Sequence, residues 1–206
     1  MSPTTDNLRL IPYSEARGQI RDADLLLWRP TSWDGWIIAQ LTRSEHCHAS
    51  KAAREASRLM TLGTEEGKGG IAEPLSEQVA KYPGIIDVYE VNPEGRWHGY
   101  DRAASIAWTR EHVVGQKYGW WATIRSGLSR VIVLRWFPWF NPNRDDEANG
   151  TKPPNCSAAC SMSDRLGGNV DPVENLSDLA TEPGDLARSP FYKYRFTLTP
   201  DSGQED

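Results

Sequence analysis

The sequence predicts a single α+β domain, and three observations support this. The chain has 206 residues, which suits one domain. Hydrophobic residues make up 38% and charged residues 25%, as in globular proteins. Short strand-like segments alternate with segments of helical spacing, separated by Gly and Pro. We expect one domain over residues 1–200, with about five or six strands and two or three helices. The polar tail, 201–206, is disordered by composition.

Strand-like segments are short and bounded by turn residues. The segment IIDVYEV, for example, follows Pro83-Gly84 and alternates between apolar and polar residues. Strands are predicted at residues 24–28, 58–66, 85–91 and 191–198. Residues 46–53 fit a strand or a helix by pattern alone.

Apolar residues spaced by three or four predict the helices. These helices cover residues 33–41, 75–80 and 101–114, with Gly115 as the C-cap of the last. Small residues after Pro153-Pro154 predict a further helix that begins near Cys156. Turns are predicted at residues 67–70 and at 178–184, the second containing Pro183-Gly184, and an exposed loop at 141–154.

Composition excludes several functions. The chain has 23 Lys and Arg against 28 Asp and Glu, a net charge of −5, which argues against general affinity for nucleic acid or anionic membranes. The longest apolar stretch, 131–140, is too short to span a bilayer. The polar start shows no signal peptide, so we expect synthesis in the cytoplasm. Three cysteines, an odd and small number, argue against a disulfide framework.

The cysteines and nearby histidines are the residues best suited to chemistry. Nucleophilic catalysis by cysteine requires a thiolate, a base and a group that orients the base. Cys156 lies at a predicted helix start, which favours a thiolate, whereas Cys160 lies one turn later and suits packing. The alternative is a purely structural role, in which each cysteine is a small buried apolar residue. A zinc site of Cys47, His48, Cys156 and Cys160 is a weaker alternative, because C-x3-C is not the usual knuckle spacing.

Two further features have open interpretations. Glu65 and Glu66 end a predicted strand and are either solvated or used to orient a histidine. Glu66 shares its strand face with Met60 and Leu62, so it is expected to point inward, where a carboxylate needs a partner. The aromatic segment 136–140 (WFPWF) belongs either to the core or to a partner interface.

Four ordered motifs extend from about residue 20 to 165. They are Ala23-Asp24-Leu25-Leu26-Leu27, Thr42-Arg43-Ser44-Glu45-His46-Cys47-His48, Gly115-Gln116-Lys117-Tyr118 and Cys156-Ser157-Ala158-Ala159-Cys160. In this order they resemble the circularly permuted papain-fold cysteine hydrolases, in particular the YiiX-like branch related to NlpC-type peptidases and lecithin:retinol acyltransferase. Two positions depart from the family pattern: Ala23 replaces a glycine, and Cys47 replaces the small residue before the family histidine. The chain also looks like proteins of tailed phages and prophages.

The resemblance implies a central antiparallel sheet, partly barrel-like, against which the helix of Cys156 packs. Cys156 would be the nucleophile and His48 the base, with the Cys156 amide stabilising the oxyanion. Glu66 is our choice for the orienting residue, with Glu65 second.

The substrate would be an amide or ester, with a peptidoglycan peptide bond favoured, and the reaction would pass through an acyl-thioester without a cofactor or metal. Tyr118, Ser157 and Ser44 are the expected substrate-binding residues. The alternative function is a structural or interaction protein of a phage tail or virion that keeps the fold.

Overall fold

Seven strands form one mixed sheet in this computed structural model, which describes residues 7–30, 44–95, 97–117, 154–174 and 176–201. The strand order is β1-β7-β6-β2-β3-β4-β5. The strands are β1 (Leu10–Pro12), β2 (Leu25–Arg29), β3 (His48–Glu55), β4 (Arg58–Glu65), β5 (Gly69–Pro74), β6 (Ile85–Val91) and β7 (Tyr192–Thr199). Only the pairing of β1 with β7 is parallel among these described strands.

Five α-helices accompany the sheet in the described ranges. They are α1 (Tyr13–Ala16), α2 (Leu75–Lys81), α3 (Arg102–His112), α4 (Cys156–Met162) and α5 (Pro183–Arg188). A π-helical turn, Ser163–Gly167, follows α4 directly, and a 3-10 turn, Asp178–Ala180, precedes α5.

The α+β class and most predicted elements are confirmed. Seven elements match the predictions to within a few residues: strands β2, β4, β6 and β7 and helices α2, α3 and α4. Segment 46–53, which fits a strand or a helix by pattern, is a strand from His48 onward. The sheet is mixed rather than purely antiparallel, and no described pairing joins β1 to β5 to close a barrel. The barrel-like and permuted papain details therefore stay predictions.

Of two turn predictions, one was confirmed in part and one was wrong. Residues 66–68 form the turn expected around Gly67, but Gly69 and Gly70 already belong to β5. Pro183 and Gly184 begin α5, because a proline in the first helical turn has no intrahelical N–H bond to lose. Three parts of the predicted structure lie outside the described residues. They are the predicted helix 33–41, residues 118–153 with the aromatic segment and nearly all of loop 141–154, and residues 202–206 of the tail.

Alternation along the strands divides the core between the two faces of the sheet. On what we call the first face, helices α1 and α2 pack on apolar side chains that include Leu26, Trp28, Ala52, Ile86 and Val88. On the second face, helices α4 and α5 pack on a set that includes Leu25, Leu27, Ala49 and Tyr89. Each strand residue can thus be assigned to one face of the sheet. Only side chains on the same face pack against the same helices.

The segment after α3 lies along β5. Gly70 donates its N–H to the Gln116 carbonyl (2.7 Å) and accepts from the Gly115 N–H (2.9 Å). A Cβ on Gly70 would lie 1.7 Å from the Val113 carbonyl oxygen, so only glycine permits this approach. Among the described residues, no helix has the length and apolar character needed to cross a membrane.

Candidate active site

Helix α4 begins at Cys156, as the sequence predicts. The N-cap is Asn155, whose Oδ1 accepts the Ala158 N–H at 2.9 Å. Asparagine is a favoured N-cap because it satisfies an N–H group that has no intrahelical acceptor. Every residue of α4 is buried, and 8% of the surface of Cys156 is accessible to solvent.

The thiol of Cys156 lies beside β3. Burial raises the pKa of this thiol, and the backbone amides of Ala49, Ser157 and Cys156 itself offset part of that rise by favouring the thiolate. Ala49 belongs to the second face, which α4 covers. Because the net pKa is raised, the resting thiol is protonated at neutral pH and needs a base to become a nucleophile.

A buried ion pair attaches the end of α4 to the sheet. Lys51 on β3 donates to both carboxylate oxygens of Asp164, at 2.8 and 2.7 Å, and both side chains are fully buried. Tyr100 donates to the same carboxylate at 2.7 Å, and Tyr192 is hydrogen-bonded to both Lys51 and Asp164. Burial and the Asp164 charge raise the pKa values of both tyrosines, which stay protonated donors.

His48 is the first residue of β3 and lies across from Trp28 in the register with β2. Directly opposed residues share a sheet face, and the two rings are in edge contact with centroids 4.8 Å apart. Trp28 belongs to the first face, whereas α4 covers the second. Burial lowers the pKa of His48 to about 4. No hydrogen bond joins His48 to Cys156 in the described ranges, although its neighbours Cys47 and Ala49 both act on the Cys156 thiol. The pairing of His48 with Cys156 stays a prediction.

His46 lies in a different environment two residues earlier. Its Nε2 is 2.7 Å from Oδ2 of Asp87, and both side chains are buried. Asp87 also accepts from Arg29 Nε (2.8 Å) and Thr197 Oγ1 (2.5 Å). Burial alone would raise the pKa of Asp87, but His46, Thr197 and Arg29 together hold it below its ordinary value. Asp87 is therefore an ionised carboxylate that holds an imidazole.

The expected inward orientation of Glu66 was wrong. Strand β4 ends at Glu65, and the chain turns through Gly67 with a φ of +82°, so strand parity no longer applies and Glu66 is exposed. Glu65 is half-buried and pairs with Lys68 at 3.1 Å. The last buried polar side chain of β4 is Thr64, whose hydroxyl has no hydrogen-bond partner in the part of the chain described.

The expected substrate-binding residues have separate positions. The Ser157 hydroxyl is buried and donates to the Thr181 carbonyl at 2.6 Å. Ser44 is half-buried, and its Oγ accepts the His46 N–H at 3.0 Å. Tyr118 lies outside the described residues. Substrate binding by these three residues stays a prediction.

The other two cysteines have distinct surroundings. Cys160 is buried in the second-face core, and burial raises the pKa of its thiol strongly. Cys47 packs at the margin of the first-face core, near the Tyr82 hydroxyl (3.8 Å). Within the described residues no three His, Cys, Asp or Glu side chains converge as metal ligands. The four residues of the zinc alternative therefore do not form a site in this arrangement.

Sequence reasoning missed His46 as a paired residue and missed Asp87, Lys51 and Asp164 altogether. A signal was present for two of them. Asp87 interrupts the apolar strand IIDVYEV, and Lys51 interrupts a run of small residues in β3. Charged residues on a buried strand need partners, so each of them indicated a buried pair. The partner could not be identified from spacing, since Lys51 and Asp164 are 113 residues apart.

Comparison with solved structures supports the fold. The chain is similar to a crystal structure described as metalloprotein yiiX from Escherichia coli O157:H7, with a TM-score of 0.59 and 11% identity, covering 88% of this chain and 99% of the other. No protein-family model matches the chain, and no curated protein sequence matches it significantly. At this identity the likeness shows a YiiX-like fold and does not extend to activity.

Proposed function

We propose that this protein is a cysteine hydrolase that cleaves an amide or ester bond through an acyl-thioester on Cys156. The observation that carries the proposal is the position of Cys156. Its thiol is at the start of α4, against the backbone of β3, where three amide groups favour its ionised form. Asn155 and the Lys51–Asp164 pair fix both ends of the helical segment that holds it. Such fixed placement is what a nucleophile requires.

The base comes from the segment His46-Cys47-His48, which leads into β3. Since burial keeps the Cys156 thiol protonated, proton removal must accompany attack on the carbonyl carbon. The amide groups beside the sulfur are suited to stabilise the oxyanion that forms. The favoured substrate is a peptidoglycan peptide, on the resemblance alone. Association with a phage tail or virion rests on the same ground.

The decisive experiment combines turnover with site mapping. The protein is incubated with purified peptidoglycan and with a thiol-reactive acyloxymethyl ketone, and released peptides and labelled cysteines are identified by mass spectrometry. We expect label on Cys156, and a loss of turnover of about 10³-fold or more in Cys156→Ser.

Cys47→Ser is the control for accessibility, because Cys47 is more exposed than Cys156. Its charge raises the pKa of the Cys156 thiol, so replacing it with serine does not disfavour the Cys156 thiolate. It is expected to retain turnover. Full activity of a folded Cys156→Ser variant would end the proposal. Equal labelling of Cys47 and Cys156 would indicate accessibility without activation and would also count against it.

A further inference from the structure

We infer that a cavity at the end of α5 binds the side-chain ammonium group of a peptide substrate. The inference rests on the proposed function and adds a specificity site to it. The cavity has a volume of about 400 Å³ and is lined by three parts of the chain. These are Trp97, residues 171–174, and residues 185 and 188–190.

The aromatic wall of the cavity is the half-buried indole of Trp97, which is held in place. It packs edge-on against the fully buried Phe191, with ring centroids 5.1 Å apart. A Cβ built on Gly95 would lie 2.0 Å from Nε1 of Trp97, so glycine is what lets the indole lie against the backbone there. Pro172 and Pro190 add apolar surface. A fixed indole suits a cation, because its face is electron-rich and it loses little freedom on binding.

Carboxylates exceed cations around this wall. Asp171, Glu174 and Asp185 line the cavity. The cation among the lining residues is Arg188, which pairs with Asp185 at 2.9 Å. Three negative charges against one positive charge leave an excess of two. Glu174 is exposed and has neither a hydrogen bond nor an ion pair within the described residues. Since the whole chain carries a net charge of −5, its field also favours a cation over an anion.

Helix α5 connects the cavity with the start of α4. Ser157, the residue after Cys156, donates to the Thr181 carbonyl, two residues before α5 begins. The opposite end of α5 contributes Arg188 to the cavity. A helix of six residues is about 9 Å long, and an extended peptide spans about 3.5 Å per residue. A peptide whose carbonyl carbon lies at Cys156 can therefore place a side chain in the cavity roughly three residues away.

An alkylammonium group fits both features of the cavity. The excess carboxylates disfavour an anion, and they would lose hydration without compensation against a neutral apolar side chain. An ammonium on a flexible aliphatic stem can place its methylenes along the prolines and its charge between the indole and the carboxylates. The substrate class that follows is a peptide containing lysine or another diamino acid with a free side-chain amine.

The test measures binding directly, in Cys156→Ser protein, so that the probes are not turned over. The probes are acetyl-alanyl-lysyl-alanine amide, the same peptide acetylated on the lysine Nε, and n-butylamine. Titrations are followed by calorimetry and by the NMR signal of the Trp97 indole N–H, which is identified by its absence in Trp97→Leu. We expect the lysine peptide to bind at least about fivefold more tightly than either other probe and to shift this signal.

Two variants of the cavity have matched controls on α3. Glu174→Gln and Trp97→Leu should each weaken binding of the lysine peptide by about threefold to tenfold. Glu111→Gln and Trp108→Leu change residues outside the cavity lining and should keep the parent affinity. Since Trp97 packs on the core and its variant could unfold, the exposed Glu174 keeps the test independent of folding.

Equal binding of the lysine peptide and its acetylated form, or unchanged affinity in Glu174→Gln, would overturn the inference. Binding of n-butylamine as tight as that of the peptide would indicate a site for free amines and would overturn the peptide assignment. Turnover that requires Cys156 but shows no preference for a cationic side chain would remove this site and leave the hydrolase standing. Binding as expected, together with full activity of Cys156→Ser, would do the reverse.

Discussion

Lys51 is a fully buried cation whose charge is balanced by Asp164, and the two stabilise the fold only as a pair. Taking one partner away leaves the other charge in a low-dielectric interior, which costs about 3–5 kcal/mol. We therefore expect Lys51→Met to lower the free energy of unfolding by roughly that amount, measured by urea titration.

Lys81 provides the control for this prediction. It forms an exposed pair with Glu77 at 3.0 Å, so Lys81→Met should change the free energy of unfolding by less than about 0.5 kcal/mol. The double variant Lys51→Met/Asp164→Asn should lose less than the sum of the single variants, because it leaves no unpaired charge. A Lys51→Met protein as stable as wild type would show that the pair does not hold the end of α4.

Individual residues show where sequence reasoning succeeds and where it stops. Cys156 could be placed at a helix start because Pro153-Pro154, Asn155 and the small residues after it are local signals. The orientation of the Glu66 side chain could not be predicted, because it depends on the residue at which β4 ends. The face occupied by His48 depended on its register with Trp28, and a shift of one residue would reverse it.

At the scale of elements, α4 is short and its start depends on one side chain. The Asn155 carboxamide accepts the Ala158 N–H at 2.9 Å and also lies 3.4 Å from the Ser157 hydroxyl. Replacement of such an N-cap by alanine costs about 0.5–2 kcal/mol. We expect Asn155→Ala to lower the unfolding free energy by about 1 kcal/mol and to slow alkylation of Cys156, because the first turn frays.

The Asn155→Asp variant keeps an N-cap acceptor but removes the side-chain amide group, so it distinguishes the capping role from other roles of this side chain. Aspartate is an equally good N-cap, so this variant should keep wild-type stability within about 0.5 kcal/mol. If Asn155→Ala unfolds at the same urea concentration as wild type, the cap does not determine the start of α4. A loss of equal size in Asn155→Asp would assign the effect to the amide group instead.

Elements with a long periodic pattern were predictable, and elements set by distant partners were not. The segment 85–91 carries its own alternation and was predicted to the residue. Strand β1 has only three residues and exists because it pairs with β7, almost two hundred residues later. Strand β5 begins with two glycines, a composition typical of turns, but the approach of Val113 requires glycine there.

At the scale of the molecule, the sheet joins sequence-distant segments around two ionisable groups, His48 and Asp87, whose pKa values are both lowered. The ordinary pKa of His48 is 6.5, and burial lowers it to about 4. Between these values the unfolded chain binds a proton that the folded chain does not, so stability falls as pH decreases from 6.5 to 4. Asp87, with a lowered pKa, contributes stability that is present above its ordinary value of 3.8 and is lost as pH falls further.

We therefore expect two separable acid limbs in a plot of unfolding free energy against pH. His48→Gln should reduce the slope between pH 6.5 and 4, where one proton contributes at most about 1.4 kcal/mol per pH unit, and leave the limb below pH 4. Asp87→Asn should do the reverse. Urea titrations from pH 7.5 to 3 measure both slopes. An unchanged slope above pH 4 in His48→Gln would mean that His48 titrates as it does in the unfolded chain, and that its contact with Trp28 does not shield the half-buried ring from water.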